Sequence, residues 1–385
     1  MAAKYLVDPD LEFIKEIGEY GGDSVKKCFQ CATCSVACPI SPDTKPFPRK
    51  EMIATAWGLK DKVVGNGDIW LCHNCGDCST LCPRGAKPGD VLAAIRMYAI
   101  SYYGGFKKLG ALIHDPKKLH IVAAIPIVVF LVVGLLTGLL DFTPERNEHG
   151  AIAHAKFFST WLVDLIFIPL SLWVVAVFAL GLKRFIADMH ENALKEGKTS
   201  KQAIDPKEFI QSLVSIIPKI LKHQQFSECG TNSERTTPHM MVLFAFIGLA
   251  IVTGIFFVVL YGLGIHGPYP QLFGVLAPVK WLANVSGVAL VIGGVLMLKN
   301  RLDKSKDQVT TYKDWYLVGL VLGLGVTGML TELTRLADAA FLTYLIYFIH
   351  LMFVFVLFMF LPFSKLAHLV YRTVAMAYNE YAGRK

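Results

Sequence analysis

Two cysteine runs in the first ninety residues have a spacing that can do redox chemistry. CFQCATCSVACP extends from Cys28 to Pro39 and CHNCGDCSTLCP from Cys72 to Pro83, each reading Cys, two residues, Cys, two residues, Cys, three residues, Cys-Pro. That spacing suits a [4Fe-4S] cluster: three thiolates on one short loop cap three irons, and the fourth must arrive from another direction. Where two such runs occur together, the fourth cysteine serves the other cluster. The runs therefore assign Cys28, Cys31, Cys34 and Cys82 to one cluster, and Cys72, Cys75, Cys78 and Cys38 to the second. Zinc sites usually separate two Cys pairs by a longer loop, and a doubled four-Cys run would be an odd disulfide frame. Cys229 stands apart from both runs and reads as a free thiol.

The elements that must hold these loops fall into two parts. The chain has 385 residues, 54% of them hydrophobic, and a mean hydropathy of +0.47, too apolar for an ordinary soluble enzyme. Almost all of that hydrophobicity follows Lys118. Six apolar runs long enough to cross a bilayer are read at 119–140, 157–182, 240–263, 279–298, 314–333 and 341–364. The expected fold is mainly α: a helical cluster-binding domain over 1–110, and a six-helix transmembrane bundle over 111–385 with a long loop at 183–238.

Basic residues give the orientation. Lys183, Arg184, Lys195, Lys198, Lys201, Lys207, Lys219, Lys222 and Arg235 lie between the second and third spans, and Lys299, Arg301, Lys304 and Lys306 in the next loop on that side. The opposite loops are poor in Lys and Arg, so the head, the long loop and the carboxy terminus are expected in the cytoplasm of a multi-pass inner-membrane protein. Reduced thiols and oxygen-sensitive clusters suit that compartment, and no secretory signal precedes the motifs. The net charge of +8 then reflects topology; no nucleic-acid motif accompanies it.

Within the head, PRKEMIATAWGLKD predicts one or two helical turns after Pro48, Gly65-Asn66-Gly67 a turn, and PGDVLAAIRMYAISYY a second helix. Such an insert is long for a small hairpin-built ferredoxin, so a helical ferredoxin is expected. In the long loop, IDPKEFIQSLVSIIPKIL has Asp205 as cap, Pro206 at the first helical position and Glu208 completing a capping arrangement. Phe209, Leu213, Ile216, Ile217 and Ile220 recur at helical spacing, which predicts an amphipathic helix on the cytoplasmic membrane surface, kinked or ended by Pro218.

Histidines set what the membrane part can carry. His350 and His368 are eighteen residues apart, five whole turns, so one continuous helix would present both on one face about 27 Å apart. His239 opens the third span at the level of His368, and this pair can supply both axial ligands of a haem b. His350, within LIYFIHLMFVF, is costly to bury without a function. His114, His120, His149, His190, His223 and His266 read as interfacial residues with water or backbone partners.

The stretches TPHMMVLFAFIGLAIVTG, SGVALVIGGVLMLKNRL and FIHLMFVFVLFMFLPFSKLAH resemble the gamma-subunit family of respiratory nitrate reductases, five-helix dihaem quinol dehydrogenases, over about residues 157–370. The head, with its doubled motif, resembles the C subunit of heterodisulfide reductase. A head of that type fused to this bundle is similar to the membrane subunits of the quinone-interacting membrane-bound oxidoreductase family of sulfate-reducing bacteria. The resemblance implies that His239 and His368 bind the haem nearer the cytoplasm and that His350 binds an outer haem. It places a fourth histidine ten residues after His239, where this chain has Leu249. Leucine cannot ligate iron, so either the outer haem is absent or another residue replaces the ligand, and His154 is the obvious one.

The resemblance further implies menaquinone as substrate beside the outer haem, flavin-containing partner subunits A and B, and adenylylsulfate reductase beyond them. Asp164 in WLVDLIF and Lys280 in APVKWLA are the polar candidates for the quinone, against plainer roles in helix packing and interfacial anchoring. No Gly-rich nucleotide fingerprint is present, so flavin chemistry belongs to another chain. The expected role is an electron-transfer subunit of a quinone-linked oxidoreductase. Two rivals are the membrane subunit of a heterodisulfide-reductase-like complex, whose thiol–disulfide substrate would sit on a partner because no Cys-Cys-Gly motif occurs here, and a membrane-anchored iron–sulfur redox sensor. A sensor would not need His350 and His368, and haem loss on replacing them argues against it. Replacing His154 by Ala is expected to halve the haem content; an unchanged content removes His154 from the ligands.

Overall fold

The computed structural model describes residues 8–140, 146, 150, 152–222, 233–265, 274–303 and 309–383. Short helices build the head: α1 (Leu11–Ile17), α2 (Thr33–Val36), α3 (Arg49–Ala56), α4 (Lys60–Val64), α5 (Asp68–Leu71), α6 (Asp77–Thr80), α7 (Pro88–Gly104) and α8 (Lys107–Leu112). Then follow α9 (Leu119–Thr137), α10 (Thr160–Lys195), α11 (Pro206–Leu221), α12 (Ser233–Leu263), α13 (Ala277–Leu302), α14 (Tyr312–Leu336), α15 (Ala340–Phe360) and α16 (Ala367–Tyr381). No strand element occurs among the described residues.

The first predicted head segment divides into α3 and α4, and the second is α7. Pro88 opens α7 at a position whose N–H would have no partner anyway, and Gly105, at φ 80°, closes it. All residues of α7 except Ala93 and Tyr102 are buried, so it is the central rod of the head.

Six helical stretches among the described residues are long and apolar enough to cross a membrane: Pro116–Thr137, Thr160–Lys195, Arg235–Leu263, Ala277–Leu302, Tyr312–Leu336 and Ala340–Tyr381. The second differs from its expected end. At 36 residues, α10 is about 54 Å long, far more than the roughly 30 Å of hydrocarbon. Its last turns, expected as loop, stand clear of the bundle and enter the core of the head, where Phe185, Met189 and Ala193 are buried. Gly181 permits the crossing there, because a Cβ would lie 2.6 Å from the Tyr371 hydroxyl and 2.9 Å from the Tyr103 carbonyl oxygen.

The sixth span departs more. The expectation that His350 and His368 share one face of a continuous helix does not hold. The helix ends at Phe360, Leu361–Phe363 form a 3₁₀ turn, Ser364 is extended at ψ 171°, and α16 restarts at Ala367. Pro362 lacks the N–H that would bond back to Phe358, and its ring clashes with that carbonyl. Asp314, itself the capping-box residue of α14, fixes the break by pairing with Lys365 and, at 2.9 Å, with Arg301.

Beyond the break, α16 leaves the bundle beside α10. Tyr371 packs on Phe185, and Tyr378 hydrogen-bonds His190 Nδ1 at 2.9 Å, so the two helices run side by side in one direction. The amphipathic helix α11 runs back along α16: the Asp205 amide donates to Tyr381 Oη at 3.0 Å, and Ile216 packs on Met376 and Ala377. Its Phe209, Leu213, Ile216 and Ile220 face is thus covered by protein. Asp205 caps α11 as expected, accepting from the Lys207 and Glu208 amides, but Glu208 pairs with Lys201 and closes no capping box. The helix continues through Pro218 to Leu221.

A charged seam joins the head to the end of α10. Gly65 lets Asp188 and Asn192 approach, since a Cβ on it would stand 2.7 Å from Asn192 Nδ2, and Gly67 lies against Asn379. Buried Asn66 donates to Glu51 Oε1 at 3.0 Å and accepts from Lys198 Nζ at 3.1 Å. Lys198 also reaches Asp68 at 2.9 Å and Glu196 at 2.7 Å, while Lys50 reaches the same two at 3.2 and 2.7 Å. Three carboxyl groups, counting Glu51, face two ammonium groups. Burial first, then Asp68, pushes Glu51 up to about 7 against the pull of Lys50 and Lys198. The folded head thus holds a proton that the unfolded chain releases between the ordinary 4.5 and 7. Stability therefore falls as pH rises through that window, and the contribution is lost above it. Glu51→Gln is expected to remove this slope, at most about 1.4 kcal/mol per pH unit, so that protease resistance of the variant head gains on the wild type as pH rises; parallel curves would refute it.

Candidate metal centres

The two cysteine loops have the same backbone. Gln30 and Ala32 in the first, Asn74 and Gly76 in the second, occupy left-handed conformations at the second and fourth positions after the leading cysteine. Such residues curl the chain so that successive N–H groups face inward, and a single helical turn, α2 or α6, follows each. Inward N–H groups meet sulfur: Gln30 Nε2 donates to Cys28 Sγ at 3.2 Å, the Asn74 amide to Cys72 Sγ at 3.3 Å and the Ala86 amide to Cys82 Sγ at 3.4 Å. Gly89 lies against this loop, where a Cβ would stand 3.3 Å from Ser79 Oγ and its amide donates to that hydroxyl at 3.3 Å.

Each loop bounds a cavity. One is lined by Cys72, Cys75, Cys78 and Cys38, with Ile40, Phe47 and Leu92. The other is lined by Cys28, Cys31, Cys34 and Cys82, with Phe29, Arg49 and Arg84. Among the described residues no three His, Cys, Asp or Glu side chains converge tightly enough to hold a single metal ion. Four cysteines line each cavity, the ligand set a [4Fe-4S] cluster takes. Burial, then neighbouring thiols, pushes Cys34 up to about 11, and burial does the same to Cys38. Thiols there ionise only when a cation compensates them, as metal does.

The Cys72 cavity adjoins the helices that lead to the bundle. Arg372 of α16 donates to the Cys72 carbonyl at 3.1 Å and to His73 Nε2 at 3.2 Å, and Arg235 of α12 donates to the Asn74 carbonyl at 3.2 Å. Burial and the Arg372 and Arg96 cations push His73 down to about 3, so its ring is neutral and can accept. Two residues before Cys72, Trp70 is fully buried, 6.0 Å ring to ring from His368, 5.7 Å from Tyr371 and 5.7 Å from Phe185. Its indole N–H has no hydrogen-bond partner among the described residues. His368 lies within electrostatic reach of His239, Arg372, Arg96 and Lys365. His239 itself is exposed on α12.

A second polar group sits at the end of the bundle remote from the head. His154 lies within electrostatic reach of His350, Lys280, Glu332 and Arg335, and its ring is 4.5 Å from that of Tyr347. Burial first, then Arg335, pushes His154 down to about 4, and its Nε2 has no hydrogen-bond partner among the described residues. Lys280 pairs with Glu332 at 3.2 Å and Glu332 with Arg335 at 2.9 Å, so Lys280 is one member of an ion triad. Thr327 gives its hydroxyl proton to the Gly323 carbonyl and lies 2.9 Å from His350 Nδ1. The Nδ1–H of His350 therefore donates to Thr327, which leaves Nε2 with a free lone pair.

Asp164 accepts from Tyr261 Oη, bridging α10 to α12. Leu249 packs in the apolar core of the bundle. His114 bonds the Phe363 carbonyl and Tyr20, and His190 bonds Tyr378. Cys229, His149, His223, His266, Lys304 and Lys306 lie outside the described residues. Trp70, Arg372, Thr327, Glu332 and Arg335 were not singled out from sequence. Of these, Glu332 and Arg335 carried a signal, two charges three residues apart at the end of an apolar span.

Residues 24–86 match the 4Fe-4S dicluster domain family. The C subunit of the H(2):CoB-CoM heterodisulfide,ferredoxin reductase of Methanothermobacter marburgensis is 40% identical over 88 residues, 23% of this chain and 47% of that protein. The second iron-sulfur C subunit of the CoB--CoM heterodisulfide reductase of Methanocaldococcus jannaschii is 34% identical over 107 residues, 26% of this chain and 57% of that protein. A protein of Archaeoglobus profundus that is itself like the C subunit of heterodisulfide reductase is 31% identical over 93 residues, 24% and 48% of the two chains. The chain thus spans about half the length of the curated relatives it matches. No solved structure matches it. The amino-terminal part of the chain is a 4Fe-4S dicluster domain similar to the C subunits of heterodisulfide reductases, carried on six helices of membrane-spanning length and apolarity.

Proposed function

We propose that the chain is a membrane electron conduit, exchanging electrons between menaquinone in the bilayer and water-soluble partner subunits. The observation that carries this is the packing of His368, just beyond the break in the sixth span, on Trp70, two residues before the Cys72 that lines a cysteine-ringed cavity. A lipophilic quinone exchanges electrons inside the membrane, whereas the head meets aqueous partners, so relay groups must connect the two media. Haem b and [4Fe-4S] clusters, when bound, supply reversible one-electron transfer.

The residues fit those groups. In each cavity three cysteines of one run and the fourth of the other would hold one cluster, with the Gln30, Asn74 and Ala86 N–H groups tuning the sulfurs. His239 and His368 would hold one haem, with Arg372, Arg96 and Lys365 offsetting the charge of its carboxylates. His350, its Nδ1 tied to Thr327, and His154 would hold a second. Lys280, in its triad with Glu332 and Arg335, and Asp164, which accepts from Tyr261, are the polar groups that would meet a quinone headgroup. The head, residues 183–238 and the carboxy terminus would face the cytoplasm, with 1–110 as cluster domain and 111–385 as haem domain.

This is the role of the membrane subunit of a quinone-interacting membrane-bound oxidoreductase, working with flavin-containing subunits A and B and adenylylsulfate reductase in sulfate respiration. Similarity to heterodisulfide reductase subunits favours a second reading, in which the same conduit serves a thiol–disulfide couple on a partner; the identity of co-purifying subunits separates the two.

Iron, sulfide and haem assays on the purified chain test the conduit. Two clusters and two haems b are expected; one haem leaves His350 without a metal, and none refutes the conduit. Cys38→Ser should perturb the cluster of the Cys72 run and Cys82→Ser that of the Cys28 run, each seen by electron paramagnetic resonance with the other cluster intact; perturbation within the same run refutes the crossed ligation. Thr327→Val should alter the spectrum or potential of only one haem, and an unchanged titration curve refutes the role given to Thr327.

A further inference from the structure

The two cavities are not equivalent in what surrounds them. Arg372 and Arg235 hold the Cys72 loop to α16 and α12, whereas the Cys28 cavity opens at the surface through the exposed Cys31. Phe29, which lines that cavity, is 68% exposed; Val36, two residues beyond the lining Cys34, is 87% exposed, and Leu81, next to the lining Cys82, is 58% exposed. Single exposed apolar side chains are ordinary on a protein surface. Three beside one cavity are a patch, and the charges at its edge are cationic: the Arg84 guanidinium lies 4.0 Å above the Phe29 ring, and Arg49 donates to the Gln30 carbonyl at 3.0 Å. An aromatic and arginine centre with an apolar surround is the composition of a protein interface.

We propose that this rim, Phe29, Val36 and Leu81 with Arg49 and Arg84, is the docking surface for an acidic-rimmed redox subunit, and that the Cys28 cavity is the water-facing end of the relay. The proposal deepens the conduit described above and rests on it. Charge selects the occupant: a basic edge steers an acidic protein face and sets its register. Position selects a protein over lipid, because an electron reaching the Cys28 cavity must leave to a carrier in water. A competing apolar face exists on α11, where Ile210, Val214, Ile217 and Leu221 form an exposed stripe, but none of these residues lies within two residues of a cysteine that lines either cavity, as Val36 and Leu81 do.

Wild type and the variants Val36→Glu, Leu81→Glu and Val214→Glu, each as the full chain extracted from native membranes in mild detergent, decide the matter. Polypeptides that co-purify are identified and quantified by mass spectrometry, their bound redox cofactor by absorbance, and iron per chain is measured in parallel. Val36→Glu and Leu81→Glu are expected to keep their iron and to lose a cofactor-bearing subunit by about tenfold or more, and higher salt should weaken the wild-type complex. Val214→Glu should retain that subunit. Wild-type stoichiometry in both rim variants overturns the proposal, as it would if the rim rested on lipid. Loss confined to Val214→Glu, or loss only of a second copy of this chain, also overturns it. If Val36→Glu alone loses iron, Leu81→Glu decides. Wild-type chain without iron would instead sink the conduit itself.

Discussion

Trp70, Phe185 and Tyr371 meet ring against ring where the head, α10 and α16 join, and the architecture depends on that contact. Three large aromatic groups, all essentially without exposure, bury several kcal/mol of apolar surface in one place. α10, and α16 beyond the break in the sixth span, therefore do not stop at the edge of the bundle; they become part of the core of the head. The same contact brings His368 beside Trp70, two residues before Cys72.

Charge is handled differently at the two ends of the bundle. Near the head, carboxylates and ammonium groups are buried in a hydrogen-bonded seam in which one carboxyl, Glu51, keeps its proton near neutrality. At the remote end, Lys280, Glu332 and Arg335 balance one another at the margin of the apolar core. Burying such groups is costly unless each is paired, so both assemblies restrict how the helices slide or tilt. The break between α15 and α16 is pinned in the same way by Asp314 and Lys365.

What was legible in the sequence followed from strong local rules. Cysteine spacing, six apolar runs, Pro88 opening α7 and Asp205 capping α11 each depend on a few neighbouring residues. What escaped depended on contacts distant in the chain. The covering of α11 by Met376 and Ala377, the tie from Thr327 to His350 and the meeting of Lys198 with Asp68 join residues that no local pattern relates. The Gly65-Asn66-Gly67 stretch was visible as a turn, but its glycines are needed for the close approach of α10 and α16. The helix break was readable, since Pro362 stood in plain view; counting five turns from His350 to His368 passed over it.

Seen as inheritance, the shared core limits how such a protein is assembled from parts. The cysteine-bearing region looks like a cassette that a gene fusion places before a bundle. A cassette cut near residue 110 would nevertheless leave Ile69, Trp70 and the flank of α7 bare where α10 and α16 now cover them. The last helix, fifteen residues at the far end of the chain, is needed to complete the first domain. Exchange of heads between bundles therefore requires the ends of α10 and α16 that cover the head to travel with it.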